Sequence, residues 1–481
     1  MKIAFSVVLN VLLKKIWSIQ VYRFSAAYAL LLGFFVAGCS KIPPIDDGFV
    51  TCTVANRIDS SVEWRQGCDK DEQVQSFIQC VLANELTADS AIQIALLNNP
   101  KIQAVFEEIG MARADLVEAG LITNPSFSLE VRYPPIKTLQ TNIEYLITSS
   151  LLDIFLIPLR TRLATTEFEQ TKLRVSNEIL NLAFDVRETY YELVSERKRI
   201  EYIRSALALT NIMSEIVSKQ IGVGNVNALE FQLAQSRLLE AELELVKSQS
   251  EIIRLSEKLN RLLGFNEELC LILPEEVDGI DYQGFDLCTL ESIAIRERLD
   301  LQVARFEIAR IGRMLGLKDW WVYTNFQVGL AGEKDPDGKN FIGPGFSGEL
   351  PIFNYGQAAR MRLFAQLRQA NDRLAELEIQ VRSEVREAHK LLMNYLKIMS
   401  DYRNRLLPMQ EKISNSSEEL YNVMGLGVDK LLENKRLEVV ANQNYTESVK
   451  QYLVSRVELD RALGGYLFLL LSQQECTQGE F

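Results

Sequence analysis

The polar and apolar positions of the chain follow two different periods. Between residues 126 and 133 they alternate strictly: Phe127, Leu129, Val131 and Tyr133 fall on one side, Ser126, Ser128, Glu130 and Arg132 on the other. A period of two predicts a strand with unlike faces. Pro134-Pro135 turns the chain, and residues 142–148 alternate again, with Ile143, Tyr145 and Ile147 together. The two runs predict a hairpin, near the roughly 9–11 residues with which a tilted strand crosses a membrane. Upstream the period is helical. A helix opens at Leu86-Thr87, with Thr87 or Asp89 as its cap and Ile92, Ala95 and Leu96 on one face. Asn98-Asn99-Pro100 breaks or kinks it, and a second helix over 102–119 stops at Gly120.

From 159 to 263 there is no proline, and the only glycines are Gly222 and Gly224. Strong helix formers fill the rest. Two long helices are predicted, 159–221 and 226–263, folded back at Gly222-Val223-Gly224-Asn225. The first would be roughly 90 Å long at 1.5 Å per residue, so it must lie against other helices or melt.

The design recurs from 355 to 463, where the glycines are Gly356, Gly425 and Gly427. Here Leu363, Leu367, Ala370, Leu374, Leu377, Val381, Val385, Ala388, Leu392 and Tyr395 make a coiled-coil-like seam with a stutter. Pro408 kinks or breaks this helix. Val186-Arg-Glu-Thr-Tyr190 is echoed by Val385-Arg-Glu-Ala-His389, and Arg261-Leu-Leu-Gly264 by Arg461-Ala-Leu-Gly464, at offsets of 199 and 200. The chain reads as a duplicated domain. Residues 321–333 and 341–353 are the matching strand-like runs, with looser alternation. Trp320-Trp321-Val322-Tyr323 suits either a membrane–water interface or a core cluster. Four strands cannot close a barrel, and open edges are not tolerated in lipid. If these strands span a membrane, several chains must share one barrel.

The chain has 481 residues and is 47% apolar, enough for a sizeable core. Its net charge of −12, with no basic block, argues against a nucleic-acid partner. His389 is the sole histidine, which argues against histidine catalysis and multi-histidine metal sites. Gly343-Pro344-Gly345-Phe346-Ser347-Gly348 fits the dinucleotide-loop spacing, but a strand-like run follows it rather than a helix, so it reads as a chance match. No nucleophile elbow, P-loop or metal motif is present. No enzyme activity, cofactor or metal is expected.

Lys2, Lys14, Lys15 and Arg23 precede an apolar run over 24–37 that is too short to span a bilayer. It ends in Val36-Ala37-Gly38-Cys39, which resembles a bacterial lipoprotein processing site. Cys39 would become the lipid-carrying first residue; a non-cleaved anchor or an ordinary signal peptide is the alternative. Ser40 stands where an aspartate would signal inner-membrane retention, so the outer membrane is expected. The other six cysteines permit disulfides in an exported chain. Cys270 and Cys288 flank one loop and are the first candidate pair.

Taken together, these features resemble the TolC-type outer-membrane efflux proteins. The resemblance is carried by Leu86-Thr-Ala-Asp-Ser-Ala-Ile92, Asn98-Asn-Pro100, Ala119-Gly-Leu-Ile-Thr-Asn-Pro125, Arg298-Leu-Asp300, Leu350-Pro-Ile-Phe-Asn354 and the two glycine tips. Two of these runs, 119–125 and 350–354, look most like the heavy-metal-efflux branch. The resemblance implies a mainly α fold with a small β part. Duplicated long-helix hairpins would form an α-helical barrel, and four strands per chain would join a shared, trimeric transmembrane β-barrel.

It further implies a passive exit duct, lipid-anchored in the bacterial outer membrane and extending into the periplasm. The duct would be fed by an inner-membrane pump through a periplasmic adaptor. The tips Gly222, Val223, Gly224 and Gly425, Leu426, Gly427 would contact the adaptor. Asp429 and Glu433 would ring a periplasmic gate, although Asp429 equally suits a helix N-terminus. A channel for type I protein or peptide secretion and a lipid-anchored coiled-coil scaffold are the alternatives. The expected organisation is a signal peptide over 1–38, a lipidated tether over 39–85, repeat one over 86–264, a linker over 265–288, repeat two over 289–464 and a tail over 465–481.

Overall fold

The computed structural model describes residues 48–58, 60–64, 70–134, 140–150, 152–267, 269, 271–275, 284, 286–321, 326–349 and 352–467. The stretch expected to be a tether contains two helices, α1 (Gly48–Ile58) and α2 (Lys70–Leu82). The sequence predicts a helix near 72–82 but not over 48–58, where β-branched residues are indifferent helix formers. Burial decides the matter: Val50 and Val54 are fully enclosed in the first core cluster.

Helix α3 (Ala88–Asn98) is capped by Thr87, whose side chain accepts the Ser90 N–H. Asp89 instead pairs with Arg187 at 3.0 Å. Asn99 ends α3 and opens α4 (Pro100–Gly120), its Oδ1 accepting the Lys101 N–H at 2.8 Å. The helix ends at Gly120, as the sequence predicts. Gly120 stays helical, and Leu121 follows in extended conformation.

Strands β1 (Ser126–Arg132) and β2 (Asn142–Ser149) follow, then α5 (Leu152–Gly222) and α6 (Ala228–Leu263). Repeat two supplies α7 (Leu287–Glu297), α8 (Leu299–Trp321), β3 (Gln327–Lys334), β4 (Asn340–Ser347), α9 (Gln357–Asp401), α10 (Leu407–Asn422) and α11 (Val428–Ala462). Trp321 closes α8 instead of opening a strand, and β3 begins only at Gln327. The side chains of Trp320 and Trp321, and residues 322–325, lie outside the described residues, and with them the aromatic-cluster expectation. The run 343–348 lies in and just after β4.

Helix α5 has 71 residues, roughly 105 Å at 1.5 Å per residue. It is held along its length by α4, α6, α8 and α11. Four of its buried hydroxyl residues are satisfied within the helix: Thr166, Ser176, Thr189 and Thr210 each donate to the carbonyl four residues earlier. The seam on α9 is also present, with Leu363, Val381, Val385, Ala388 and Leu392 buried. The interruption expected at Pro408 takes the form of a π-helical turn over Tyr402–Leu406, where the Leu407 N–H reaches the Tyr402 carbonyl. Proline has no N–H for the carbonyl four residues back, and its ring crowds that carbonyl. One wider turn just before it gives the room.

Two core clusters form, one mainly of repeat one with α1, Leu299 and Val457, the other of repeat two, and Tyr191 of α5 packs against both. Both repeats end on the same cap. At the end of α6 the N–H of Gly264 reaches Arg261 O and that of Phe265 reaches Asn260 O; at the end of α11 the N–H of Gly464 reaches Arg461 O and that of Gly465 reaches Asp460 O. Gly264 and Gly464 are left-handed, with φ 81° and 71°, as this cap requires. A Cβ on Gly264 would also stand 2.8 Å from Asn99 Cα, so both backbone and space demand glycine. Among the described residues no helix is long and apolar enough to cross a membrane.

Candidate functional site

The four strands form one antiparallel sheet in the order β1-β2-β3-β4, so the hairpin of one repeat pairs with the hairpin of the other. Direct partners share a face. Phe127↔Ile147↔Leu330↔Pro344 and Leu129↔Tyr145↔Gly332↔Ile342 lie on one face. Ser126↔Thr148↔Gly329↔Gly345 and Glu130↔Glu144↔Glu333↔Phe341 lie on the other. The first face is predominantly apolar and open to solvent: Phe127 is 64% exposed, Ile342 73% and Phe346 77%. The second is largely polar and internally bonded. Ser126 Oγ and Thr148 Oγ1 lie 2.6 Å apart, Thr148 Oγ1 donates to Gln327 Oε1 at 2.7 Å, and Asn142 Nδ2 donates to Glu333 Oε1 at 2.8 Å. Strands β1 and β4 each have one edge without a partner in the sheet.

At the far end of the long helices the two tips are the same turn, made once in each repeat. The Asn225 N–H reaches Gln220 O, and the Gly425 N–H reaches Leu420 O. The left-handed residue is Gly224 in the first tip, at φ 77°, but Met424 in the second, at φ 60°. Gly425 and Gly427 were expected to provide the reversal; neither has positive φ. Gly427 precedes α11 in extended conformation. The side chains that project are Val223, Val423 and Met424, at 72%, 73% and 96% exposure. Leu426 is half-buried.

Asp429 is exposed in the first turn of α11, where no side chain caps the helix. Glu433 is engaged elsewhere, accepting from Arg436 Nε and Nη2 at 3.0 and 2.8 Å. The Arg436 hydrogen bond holds its carboxyl below the usual carboxylate range. Cys39 and Cys270 lie outside the described residues; Cys288 is an exposed free thiol.

Arg57 was not anticipated from sequence. It is 5% exposed and donates to Gly464 O at 2.8 Å and Glu297 O at 2.9 Å, with its guanidinium over the Tyr466 ring. It therefore ties α1 to the end of repeat two. Nothing local in the sequence marks it, because its partners are main-chain carbonyls 240 and 407 residues away.

A four-stranded amphipathic sheet joined to two duplicated long-helix hairpins is the fold of the outer-membrane channels. Residues 91–265 match the outer membrane efflux protein family. No curated protein matches by sequence. Among solved structures, the chain is similar to a membrane protein from Pseudomonas aeruginosa, with 17% identity, 78% of this chain and 92% of that one covered, and a TM-score of 0.64. It is also similar to the Campylobacter jejuni CmeC outer membrane channel (16% identity, 79% and 85% covered, TM-score 0.62). The open state of the Neisseria gonorrhoeae MtrE outer membrane channel is a third (14% identity, 79% and 89% covered, TM-score 0.59). The resemblance to the TolC-type outer-membrane efflux proteins is thus borne out, by the family match over 91–265 and by fold over most of the chain.

Proposed function

We propose that the chain is one third of a passive exit duct in the bacterial outer membrane. Three chains share a twelve-stranded barrel, and their long helices continue it as a tunnel through the periplasm. The observation that carries this is the sheet: four strands with an apolar face, a polar face and two open edges. Such edges must be paired before a sheet can sit in lipid. Helix α6 adds support. Leu229, Leu239, Leu243, Val246 and Ile253 are each at least half exposed and recur at coiled-coil spacing, a seam suited to a neighbouring chain. A periplasmic scaffold would need no sheet of this kind.

Energy comes from an inner-membrane pump, and the tunnel meets it through a periplasmic adaptor at the Val223 and Met424 tips. Asp429 rings the periplasmic aperture. Cys39 carries lipid and adds a second hold on the membrane; Cys39→Ala should abolish labelling by a fatty-acid probe, and unchanged labelling would exclude that residue. The duct itself is tested in planar bilayers. The purified protein should give discrete conductance steps, and bilayers that stay silent with well-folded protein would exclude a channel.

A further inference from the structure

The polar face of the sheet carries a row that sheet stability does not explain. Glu130, Glu144 and Glu333 are direct neighbours on β1, β2 and β3, so their Cβ atoms stand about 5 Å apart. Like charges opposite one another destabilise a sheet. Arg132 answers two of them, donating Nε to Glu130 at 2.9 Å and Nη1 to Glu144 at 2.7 Å. The row sets three carboxylates against this one guanidinium.

A second observation points into the same row. Asn142 is 9% exposed, and among the described residues its Oδ1 has no hydrogen-bond partner. Its Nδ2 is committed to Glu333, so a buried, bare carbonyl oxygen stands beside the carboxylates. An acceptor left in that state is costly to the fold. A cleft of about 420 Å3 lies against this face, lined by Ser128, Glu130, Glu144 and Glu333. The lining includes three carboxylates and no cationic side chain, and Arg132, at the end of the row, is already engaged by Glu130 and Glu144. Among the described residues no three acidic, imidazole or thiol groups converge as a metal site. A row of this kind can influence ions through its field without coordinating them.

We propose that Glu130, Glu144, Glu333 and Asn142 form a cation-preferring stretch of the barrel wall, which passes cationic solutes ahead of anions. The inference rests on the shared barrel proposed above, in which the polar face lines the lumen. Three chains would set nine carboxylates against three guanidinium groups at this level. Charged rings of this kind set ion preference in pores, and lumen-facing positions of barrels tune it.

The test is the reversal potential in planar bilayers under a potassium chloride gradient, with Asp429→Asn and Glu433→Gln as the background so that the tip acids do not contribute. That protein should still prefer potassium. Adding Glu130→Gln, Glu144→Gln and Glu333→Gln should lower the permeability ratio several-fold, towards one. Adding Arg132→Gln instead should raise it, and this arm decides the matter if the triple variant fails to assemble. A background channel without preference, or a ratio unmoved by either change, overturns the inference. Bilayers that remain silent with the wild-type protein overturn the channel itself.

Discussion

Asn99 and Arg298 occupy matching places in the two repeats: each ends a short helix in extended conformation and holds the end of a long one. Asn99 Nδ2 donates to Leu262 O at the end of α6, at 2.8 Å. Arg298 Nη1 donates to Ala462 O at the end of α11, at 3.4 Å. The duplication has kept the junction and changed its chemistry from an amide to a guanidinium. Arg298 also serves Asp300 at 2.7 Å and Glu384 at 2.5 Å, with 14% of its own side chain exposed.

The two junctions should therefore differ in sensitivity. Asn99→Ala removes neutral hydrogen bonds to Leu262 O and from the Lys101 N–H, a loss of about 1–2 kcal/mol. Arg298→Ala removes charge-assisted hydrogen bonds to two partly exposed carboxylates and should destabilise by more, about 2–3 kcal/mol. Thermal unfolding of the two variants in detergent checks the order; equal losses would contradict it.

Asp460 should behave as a strained copy of Asn260, which occupies the same place in the first cap. The Asp460 side chain is buried; burial holds its carboxyl above the ordinary value of 3.8, only partly offset by Arg187 and the Leu467 N–H. A raised carboxyl contributes stability that is full below its unfolded pKa and lost as pH rises through the folded one. Relative to wild type, Asp460→Asn should thus gain melting temperature from acid towards neutral pH, while Arg187 keeps Asp89. A difference that shrinks as pH rises would contradict this.

Glu433 should matter less to ion preference than Asp429. Its charge is matched by Arg436, whose hydrogen bond lowers its pKa from 4.5. A depressed carboxyl contributes stability above its unfolded pKa, and that is lost as pH falls through the folded one. Glu433→Gln should accordingly leave the reversal potential nearer to wild type than Asp429→Asn does, and should flatten the loss of stability in acid. The reverse ranking in bilayers would make Glu433 the gate.

Met424 separates turning from docking at the second tip. Met424→Gly relieves a left-handed side chain, worth about 1 kcal/mol, and adds chain entropy of similar size. Stability should barely move, while cross-linking to the proposed adaptor should fall. Met424→Val keeps an apolar side chain but puts a β-branched residue at positive φ, so it should destabilise the tip. Hydrogen exchange at residues 420–428, read beside cross-linking, tells the two effects apart. Undiminished cross-linking of Met424→Gly would mean that this tip only turns.

Much of this architecture was legible where one period dominates. Strict alternation placed β1 within one residue of its observed end, and the proline-free runs placed α5 and α6 to within a turn or two. Strand β3 was misjudged because Gly329, Ala331 and Gly332 leave little side-chain contrast, and because α8 runs on through Trp321. Helix α1 was missed because it forms by burial, not by propensity. In the second tip Gly425 and Gly427 drew attention from Met424, since a non-glycine residue at positive φ is uncommon. The Glu433–Arg436 pair was available from its i,i+3 spacing, whereas Arg57 was not. The row of Glu130, Glu144 and Glu333 needed the register between two hairpins from different repeats, which no local pattern specifies.

The central claim is that the two open edges of the sheet are paired by further copies of the same chain. Light scattering of the detergent-purified protein, corrected for bound detergent, measures this directly. The predicted result is three chains per particle, each of 54.7 kDa before any processing. A stable, folded monomer with the sheet intact would contradict it.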